Sequence, residues 1–547
     1  MHVYKYYKNF SMKNKTLYIL AISAAVMIAL GSCKKDLAKT NIDPDHIDGA
    51  QVDPNFLLTT VQLSYTGSST PGGSSWSTKW GGVGCFVQHV ASTGGFYYGD
   101  KYQNNTGGMG AFFQDSYTVT VQPAVELYQL TLSKPQYKNL HQMARIMKAM
   151  IFEQLTDLYG DIPYSQAGLG YYSHIYTPVY DKQQDIYNDL LKEVSQATDS
   201  LDDAADHPTG DVIYSQSGNQ IAEWKMFGNS LLLRMAMRLT KVDPATAQKY
   251  VKQVIGKTMA SNDDNGIIQH IQSSNALTAN QDAAQIFSQD STDIRLSSTL
   301  VSNMKKNADP RLPVVAWIAY GVTGDDPDNL VFPSFTDSTA TAQIGLPPGY
   351  IIGGLSPATN LLIVAKDSLP DQVLGGYSRI SNNLLSLSAP SLILTYAETE
   401  LLLADASLRW GIGGDAQTHF KNGVEAAINQ YSAYGDFPTI SDDAADNYYQ
   451  SFVNNYGSVN LSQVNMQYWL ASLMDEYESW SNWRRSGDMP HLKPTNYPGN
   501  VTGGTIPRRL NYPVSQKNTN LANYNKAVAN LTGGDRITSR VWWDVAK

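Results

Sequence analysis

The sequence predicts a mainly helical protein in which pairs of antiparallel helices alternate with long irregular segments. Apolar residues recur at the spacing of a helix face in paired stretches. Segments rich in Gly, Ser, Pro and Tyr lie between these pairs. After an apolar run at residues 17–30, no second run approaches the length of a membrane span. We therefore expect a helical body with loop insertions to follow that first run.

Four helix pairs carry the periodic pattern. Each has apolar residues at helical spacing, with Gly or Asp-Pro at several of the breaks. Such pairs resemble tetratricopeptide units, although the consensus letters of that repeat are largely missing. The expected pairs are residues 140–158 with 186–201, 224–239 with 250–255, 392–410 with 420–428, and 464–474 with a segment reaching Trp483.

Four long segments separate or flank these pairs, at residues 67–110, 161–180, 281–389 and 494–530. Irregular segments of this length are uncommon in a compact domain unless they bind something. We interpret them as loops and insertions that form the functional half of the protein.

The N-terminus is typical of an exported lipoprotein. Lys13 and Lys15 precede the apolar run, which is too short for a confident membrane span and ends in Leu-Gly-Ser-Cys at Cys33. An ordinary signal peptide with a chance cysteine is the alternative. We predict a signal peptide over 1–32, lipidation (palmitate) of Cys33 and a single binding domain over 33–547. Translation could start at Met1 or Met12.

Cysteine usage and charge narrow the possible partners. Cys33 and Cys85 are the two cysteines, so a lipidated Cys33 leaves no internal disulfide, and Cys85 is expected to be a small buried residue. The four lysines before Cys33 are lost with the signal peptide, so the net charge of −9 becomes −13. Such acidity argues against nucleic acid and anionic membrane surfaces as partners. Only the lipid would hold the protein to a membrane.

The composition favours an uncharged polar ligand. Charged residues make up 16% of the chain, which also contains 34 tyrosines and 10 tryptophans. Aromatic rings stack on the C–H faces of sugars, while neutral side chains bond their hydroxyls. A glycan fits this surface, but a tyrosine-rich globular protein with no special surface has the same composition.

No pattern of residues indicates catalysis, a cofactor or a metal. Candidate acidic pairs lie in turn-like polar runs where solvated aspartates are expected, the nine histidines lack zinc-binding spacing, and no nucleophile elbow or phosphate loop occurs. Glu478, Arg484 and Arg485 could bind an anion, but their helical spacing favours pairing with neighbouring hairpins. The same structural role is predicted for Arg234 and Arg238.

Several motifs together resemble the SusD-like lipoproteins, in family order from about residue 33 to 543. The segment 478–490, ESWSNWRRSGDMP, resembles their E-x-W-x-D-W-R-R-x-G-x-P signature, and 224–238 resembles their W-x-x-F-A-N-S-L helix. Shorter matches are DPRLP at 309–313, YAE at 396–398 and RRLNYP at 508–513. The chain departs from the pattern at Asn482, Gly228 and Gln516. The starch-binding second subgroup fits best.

This resemblance implies a non-enzymatic outer-membrane lipoprotein that faces the cell exterior. Such proteins capture an oligosaccharide and form the lid of a SusC-like TonB-dependent transporter in nutrient uptake. A peptide or glycopeptide receptor of the same architecture is the alternative, and a lipoprotein hydrolase is a third hypothesis.

The candidate ligand-binding residues lie in two loop-rich regions. Rings in a Gly/Ser-rich early segment have no evident need to be buried, and the resemblance places part of an aromatic platform there. The insertion that follows residues 309–313 forms the other side of the site in the family. The predicted residues are Trp76, Trp80, Tyr97, Tyr98, Asn104, Trp317 and Tyr320.

Overall fold

The protein is described by a computed structural model over residues 53–67, 75–92, 97–273, 278–288, 294–320, 335–349, 377–435 and 440–546. Within these ranges, the side chains of residues 75–76, 284–285, 287–288, 319–320 and 335–336 are not described. The predicted signal peptide and Cys33 lie outside the described residues.

Helices make up most of the described chain, as the sequence predicts. Two π-helical segments, Ser75–Val83 and Ser116–Val121, continue into α2 and α4, and single 3-10 turns occur at Pro135–Tyr137, Asn262–Asp264 and Gln430–Tyr434. The α-helices are α1 Pro54–Tyr65, α2 Gly84–Phe86, α3 Thr106–Asp115, α4 Gln122–Thr131, α5 Lys138–Tyr159, α6 Gly170–Ser173, α7 Gln183–Ser200, α8 Gln220–Arg238, α9 Pro244–Val254, α10 Gln281–Ser288, α11 Ser298–Lys306, α12 Leu312–Val315, α13 Tyr396–Trp410, α14 Ala416–Asn429, α15 Asp442–Tyr456, α16 Leu461–Ala471, α17 Glu476–Ser486, α18 Ser515–Thr519 and α19 Leu521–Ala529.

The four predicted helix pairs are confirmed as α5 with α7, α8 with α9, α13 with α14, and α16 with α17. The third pair begins later than predicted. Residues 391–394 form a strand, and α13 starts after Thr395, whose hydroxyl accepts a hydrogen bond from the Glu398 amide at 3.1 Å. The apolar run from Leu392 therefore forms a strand before the helix begins, because residues 266–268 are available to pair with it.

Short antiparallel sheets join segments that are distant in sequence. The described part of the chain contains β1 paired with β5, β2 with β3, β4 with β9, and a three-stranded sheet in the order β7-β6-β8. The strands are β1 Val90–Ser92, β2 Ile162–Pro163, β3 Tyr180–Asp181, β4 Gly266–Ile268, β5 Ile294–Leu296, β6 Ala316–Tyr320, β7 Phe335–Asp337, β8 Arg379–Ile380 and β9 Ser391–Leu394.

The segments predicted to be irregular loops contain much of this regular structure. Residues 67–110 include a π-helical segment and β1, and residues 494–530 include α18 and α19. The described part of residues 281–389 includes α10 to α12 and the four strands β5 to β8. These elements depend on partners far away in sequence, as β1 does on β5. Local periodicity cannot show such pairing, since a three-residue strand is too short to display a pattern.

Buried ion pairs connect the helical hairpins. Arg238 on α8 bonds to Glu478 on α17 and to Asp157 on α5, the latter at 2.9 Å. Arg485 lies 3.1 Å from Asp405 on α13, and both side chains are fully buried. The structural role predicted for these arginines and for Glu478 is confirmed.

Tight packing surrounds two residues that the sequence singles out, Gly228 and Cys85. Gly228 lies where α8 crosses α7, and an added Cβ would stand 2.1 Å from the Thr198 hydroxyl, which explains why glycine occurs there. Cys85 is fully buried, and burial raises the pKa of its thiol well above the usual value, as expected for an inert core cysteine. None of the described helices is both long and apolar enough to cross a bilayer.

Candidate functional site

A cavity of about 1090 Å³, which includes solvent at its opening, lies where elements from the whole chain meet. The end of α1, the start of α10, strand β9 and the turn between α16 and α17 all contribute residues to its wall. A smaller recess of about 380 Å³ shares Tyr65, Gly67, Phe112 and Gln154 with it. The fold thus forms one extended concave surface here, which is where small ligands usually bind.

Tyrosines dominate the aromatic part of the cavity wall. Three of them are buried, while Tyr65 and Tyr434 keep part of their surface exposed. The Phe112 and Tyr477 rings lie 4.7 Å apart, and the Tyr431 and Tyr434 rings lie 6.2 Å apart. The five tyrosines are Tyr65, Tyr431, Tyr434, Tyr468 and Tyr477.

Four carboxylates and one ammonium group make the wall acidic, and most of these charges are paired. Asp282 bonds to Lys79 and accepts a hydrogen bond from the Trp80 indole at 3.1 Å. Glu398 pairs with Arg234, and Glu478 with Arg238, in both cases through bonded contacts between buried side chains. Asp475 is the fourth carboxylate.

Asp475 is positioned by the start of helix α17. It is the N-cap residue, and its Oδ1 accepts a hydrogen bond from the Glu478 amide at 3.3 Å. No salt bridge to it forms among the described residues. Burial raises the pKa of Asp475 to about 7, while Arg234 acts in the opposite direction and Glu478 reinforces the rise. The cavity therefore contains one carboxyl group whose charge is incompletely compensated.

Two further polar atoms in the wall lack a hydrogen-bond partner among the described residues. They are the Tyr477 hydroxyl and the Gln430 Oε1, on side chains that are 7% and 4% exposed. The Gln430 amide nitrogen is used, because it donates to the Ala471 carbonyl at 2.9 Å. Buried polar atoms are nearly always satisfied in native proteins, so these two indicate a site for water or for a polar ligand.

The structure assigns Trp80, Tyr97 and Tyr98 to the core. Their exposed fractions are 0%, 1% and 3%, so none presents a ring face to a ligand in this conformation. The Tyr98 ring packs 6.4 Å from Phe86 and directly above Gly82. The reason is that the Gly-rich segment packs tightly against itself, which lets large rings become buried in a region where the sequence indicates a loop.

The remaining candidates lie elsewhere. Asn104 is exposed, Trp317 is partly exposed on β6, and the side chains of Trp76 and Tyr320 are not described. Trp317 lies directly opposite Arg379 in the antiparallel register. The Trp317 indole nitrogen, Arg379 Nε and Asn382 Nδ2 are buried donors without a partner in the described structure. This sheet therefore offers hydrogen-bond donors, whereas the cavity offers acceptors.

Sequence reasoning missed the residues of the cavity wall. Tyr65, Tyr434 and Asp475 come from three separate regions, and no local motif connects them. The abundance of tyrosine was the available signal, but composition does not say which rings meet. Asp475 precedes the motif at 478–490 without belonging to it, so the motif does not identify Asp475 as a site residue.

Comparison with known proteins supports the fold and the family. The chain matches the SusD-like family model described as "Starch-binding associating with outer membrane" over residues 47–342 and 354–513. A solved chitin-binding protein is 31% identical, with a TM-score of 0.75, and the alignment covers 90% of this chain and 100% of that one. No curated protein sequence matches the chain.

Two further solved structures show the same fold. A chitin-binding SusD homologue from Flavobacterium johnsoniae is 23% identical, with a TM-score of 0.69 over 90% of this chain and 98% of that one. A SusD homologue from Bacteroides uniformis is 22% identical, with a TM-score of 0.69 over 90% and 100% of the two chains. The helical hairpins, the insertions and the family match agree, and the chain belongs to the SusD-like family of starch-binding, outer-membrane-associated proteins.

Proposed function

We propose that this protein captures a glycan at the outer membrane, without chemistry, and passes it to a SusC-like TonB-dependent transporter for which it forms the lid. Family membership carries the proposal, and the 31% identical chitin-binding protein favours an oligosaccharide of the chitin class as ligand. The tyrosine-lined cavity supports it, because rings and neutral hydrogen-bonding groups suit sugar faces and hydroxyls.

The ligand would lie along the cavity wall. Tyr65 and Tyr434 would stack on pyranose rings, since both line the cavity and retain exposed surface. Trp317, with its unpartnered indole nitrogen, would donate to an acceptor on the same or a second glycan segment. Asn104, Trp76 and Tyr320 stay as predicted contacts, whereas Trp80, Tyr97 and Tyr98 are buried and are not proposed to contact the ligand.

Titration calorimetry with soluble chitin oligosaccharides tests this function, with malto-oligosaccharides and short peptides for comparison. We expect saturable binding of a glycan and weaker binding after replacing Tyr65 and Tyr434 together by alanine. Tyr171→Ala is the matched control, because Tyr171 is 82% exposed and does not line the cavity. Binding of peptides but of no glycan would select the peptide-receptor alternative.

The anchor and the partner require a cellular experiment. Cys33→Ala is expected to abolish palmitate labelling and to release the protein from the outer membrane, because one thiol carries the whole attachment. Cys85→Ala is the control, since Cys85 is buried. The lid role predicts that the intact protein co-purifies with a SusC-like transporter. Purification from membranes without any transporter would contradict it.

A further inference from the structure

The cavity wall contains hydrogen-bond acceptors whose capacity the described residues use only in part. Asp475 forms no ion pair with the described residues, and the Gln430 Oε1 and Tyr477 hydroxyl oxygen lack partners there. A carboxylate and an amide oxygen can only accept, and a hydroxyl can accept as well as donate. The missing partner is therefore rich in donors.

The charge of the wall agrees with this requirement. The wall carries four carboxylates against the single ammonium of Lys79, which is already bonded to Asp282. Glu398 and Glu478 are neutralised by arginines behind the wall. Asp475 alone among these four lacks a bonded cation in the described structure, so a positive group on a ligand would gain most there.

The backbone that presents Asp475 is strained. Met474, which also lines the cavity, has φ +84°, a left-handed conformation that is unfavourable for a residue other than glycine. The Glu476 carboxylate stabilises this conformation, because it accepts a hydrogen bond from the Met474 amide at 3.2 Å. Strain of this kind is concentrated at functional sites, where surrounding structure fixes an otherwise unfavourable geometry.

We propose that this cavity binds a glucosamine unit, in which a protonated amine contacts Asp475 and Gln430 while a neighbouring hydroxyl contacts Tyr477. An ammonium group has three N–H donors, which can serve the oxygens of Asp475 and Gln430, and a sugar hydroxyl can donate to the Tyr477 oxygen. The inference rests on the proposed glycan-binding function and refines its ligand to a partly deacetylated, cationic amino-sugar chain.

Calorimetry at pH 7 with glucosamine tetramer and N-acetylglucosamine tetramer tests the inference. The intact mature protein is expected to bind the amine-bearing tetramer about tenfold more tightly, a difference of about 1.4 kcal/mol. Asp475→Asn should remove that preference, so that the two tetramers bind with similar affinity. Asparagine is as good an N-cap as aspartate, so α17 keeps its start.

The control variant is Asp415→Asn, which changes an N-cap aspartate of α14 outside the cavity in the same way. It should keep the preference for the amine. Thermal unfolding of both variants establishes that each is folded at the temperature of the titration.

The outcomes separate this inference from the proposed function. If the acetylated tetramer binds and the amine-bearing one does not bind more tightly, the inference is overturned and glycan binding stands. If the preference survives in Asp475→Asn, its assignment to Asp475 is overturned. If neither tetramer nor any other glycan binds, both fail. Binding of a free-amine peptide in place of either tetramer also overturns the amino-sugar assignment.

Discussion

Glu478 and Asp475 lie three residues apart at the start of one helix, yet they belong to regions of opposite character. Glu478 is part of a buried network in which arginines from α8 bond to carboxylates on three other helices. Asp475 faces the cavity without a bonded cation from the described residues. Burial acts on both carboxyls, but Arg238 and Arg234 lower the pKa of Glu478 overall, whereas the pKa of Asp475 rises to about 7.

The difference separates buried polar groups that are paired within the protein from those that are left available to a ligand. Buried charges that find partners within the chain hold the helices together. Buried polar atoms that do not find them mark the site. Opposite effects are therefore expected when the two regions are altered.

The largest effect should follow from breaking the network. Arg238→Met removes the cation that bonds to both Glu478 and Asp157, so two buried carboxylates lose a partner. We expect a loss of about 3–5 kcal/mol in the free energy of unfolding, measured by urea denaturation. Arg540→Met, which removes a partly exposed guanidinium paired with Asp544, should cost less than about 1 kcal/mol. Equal losses of unfolding free energy in the two variants would mean that the buried network stabilises the fold no more than a partly exposed ion pair does.

A smaller loss should follow from crowding the scaffold at the α7–α8 crossing. Gly228→Ala places a methyl group 2.1 Å from the Thr198 hydroxyl, and such overpacking costs about 1–3 kcal/mol. The urea midpoint should fall accordingly. Adding Thr198→Ala removes the hydroxyl that clashes and should recover part of the loss. If the double variant recovered no stability, the loss would not come from a clash with the Thr198 hydroxyl.

Asp475→Asn should change stability in the opposite direction. The folded state holds the Asp475 proton up to about pH 7, whereas the unfolded chain releases it near pH 4, so wild-type stability falls as pH rises between these values. At pH 8 the variant should be more stable by about 1–2 kcal/mol, since solvent in the cavity screens part of the full effect. Below pH 4 the difference should vanish. A variant less stable than wild type at pH 8 would contradict the assignment.

The smallest effect concerns ligand affinity alone. Tyr434→Ala removes a partly exposed ring from the cavity wall, and stacking of this kind contributes about 0.5–1.5 kcal/mol. Oligosaccharide affinity measured by calorimetry should weaken by about two- to tenfold, with the unfolding midpoint little changed. A variant with full affinity would remove Tyr434 from the proposed contacts.

Much of the scaffold could be predicted from sequence because the apolar periodicity of a helix is visible within one short segment. The apolar spacing gave all four hairpins, and the 478–490 motif led to the family. The onset of α13 was misplaced because Leu392–Leu394 has an apolar pattern compatible with either helix or strand, and only pairing with β4 decides between them.

The site was harder to predict because it depends on which distant segments meet. The sequence around Trp80 indicates a loop, but its indole N–H donates to Asp282, which lies 202 residues later in the chain. No local pattern predicts that contact. Asp475 and Tyr434 carry no local sign that they share a cavity. Burial is a property of the completed fold, so ring-rich loops and ring-rich cores look alike in a sequence.

The bond from the Trp543 indole to Asp157 spans 386 residues and joins the end of the chain to an early helix. Asp157 also bonds to Arg238 and accepts a hydrogen bond from the Tyr187 hydroxyl, so its three partners come from three separate parts of the chain. During synthesis, the interactions of Asp157 therefore cannot be completed until Trp543 has been made. A truncation that removes Trp543 would leave the buried Asp157 carboxylate without its indole donor.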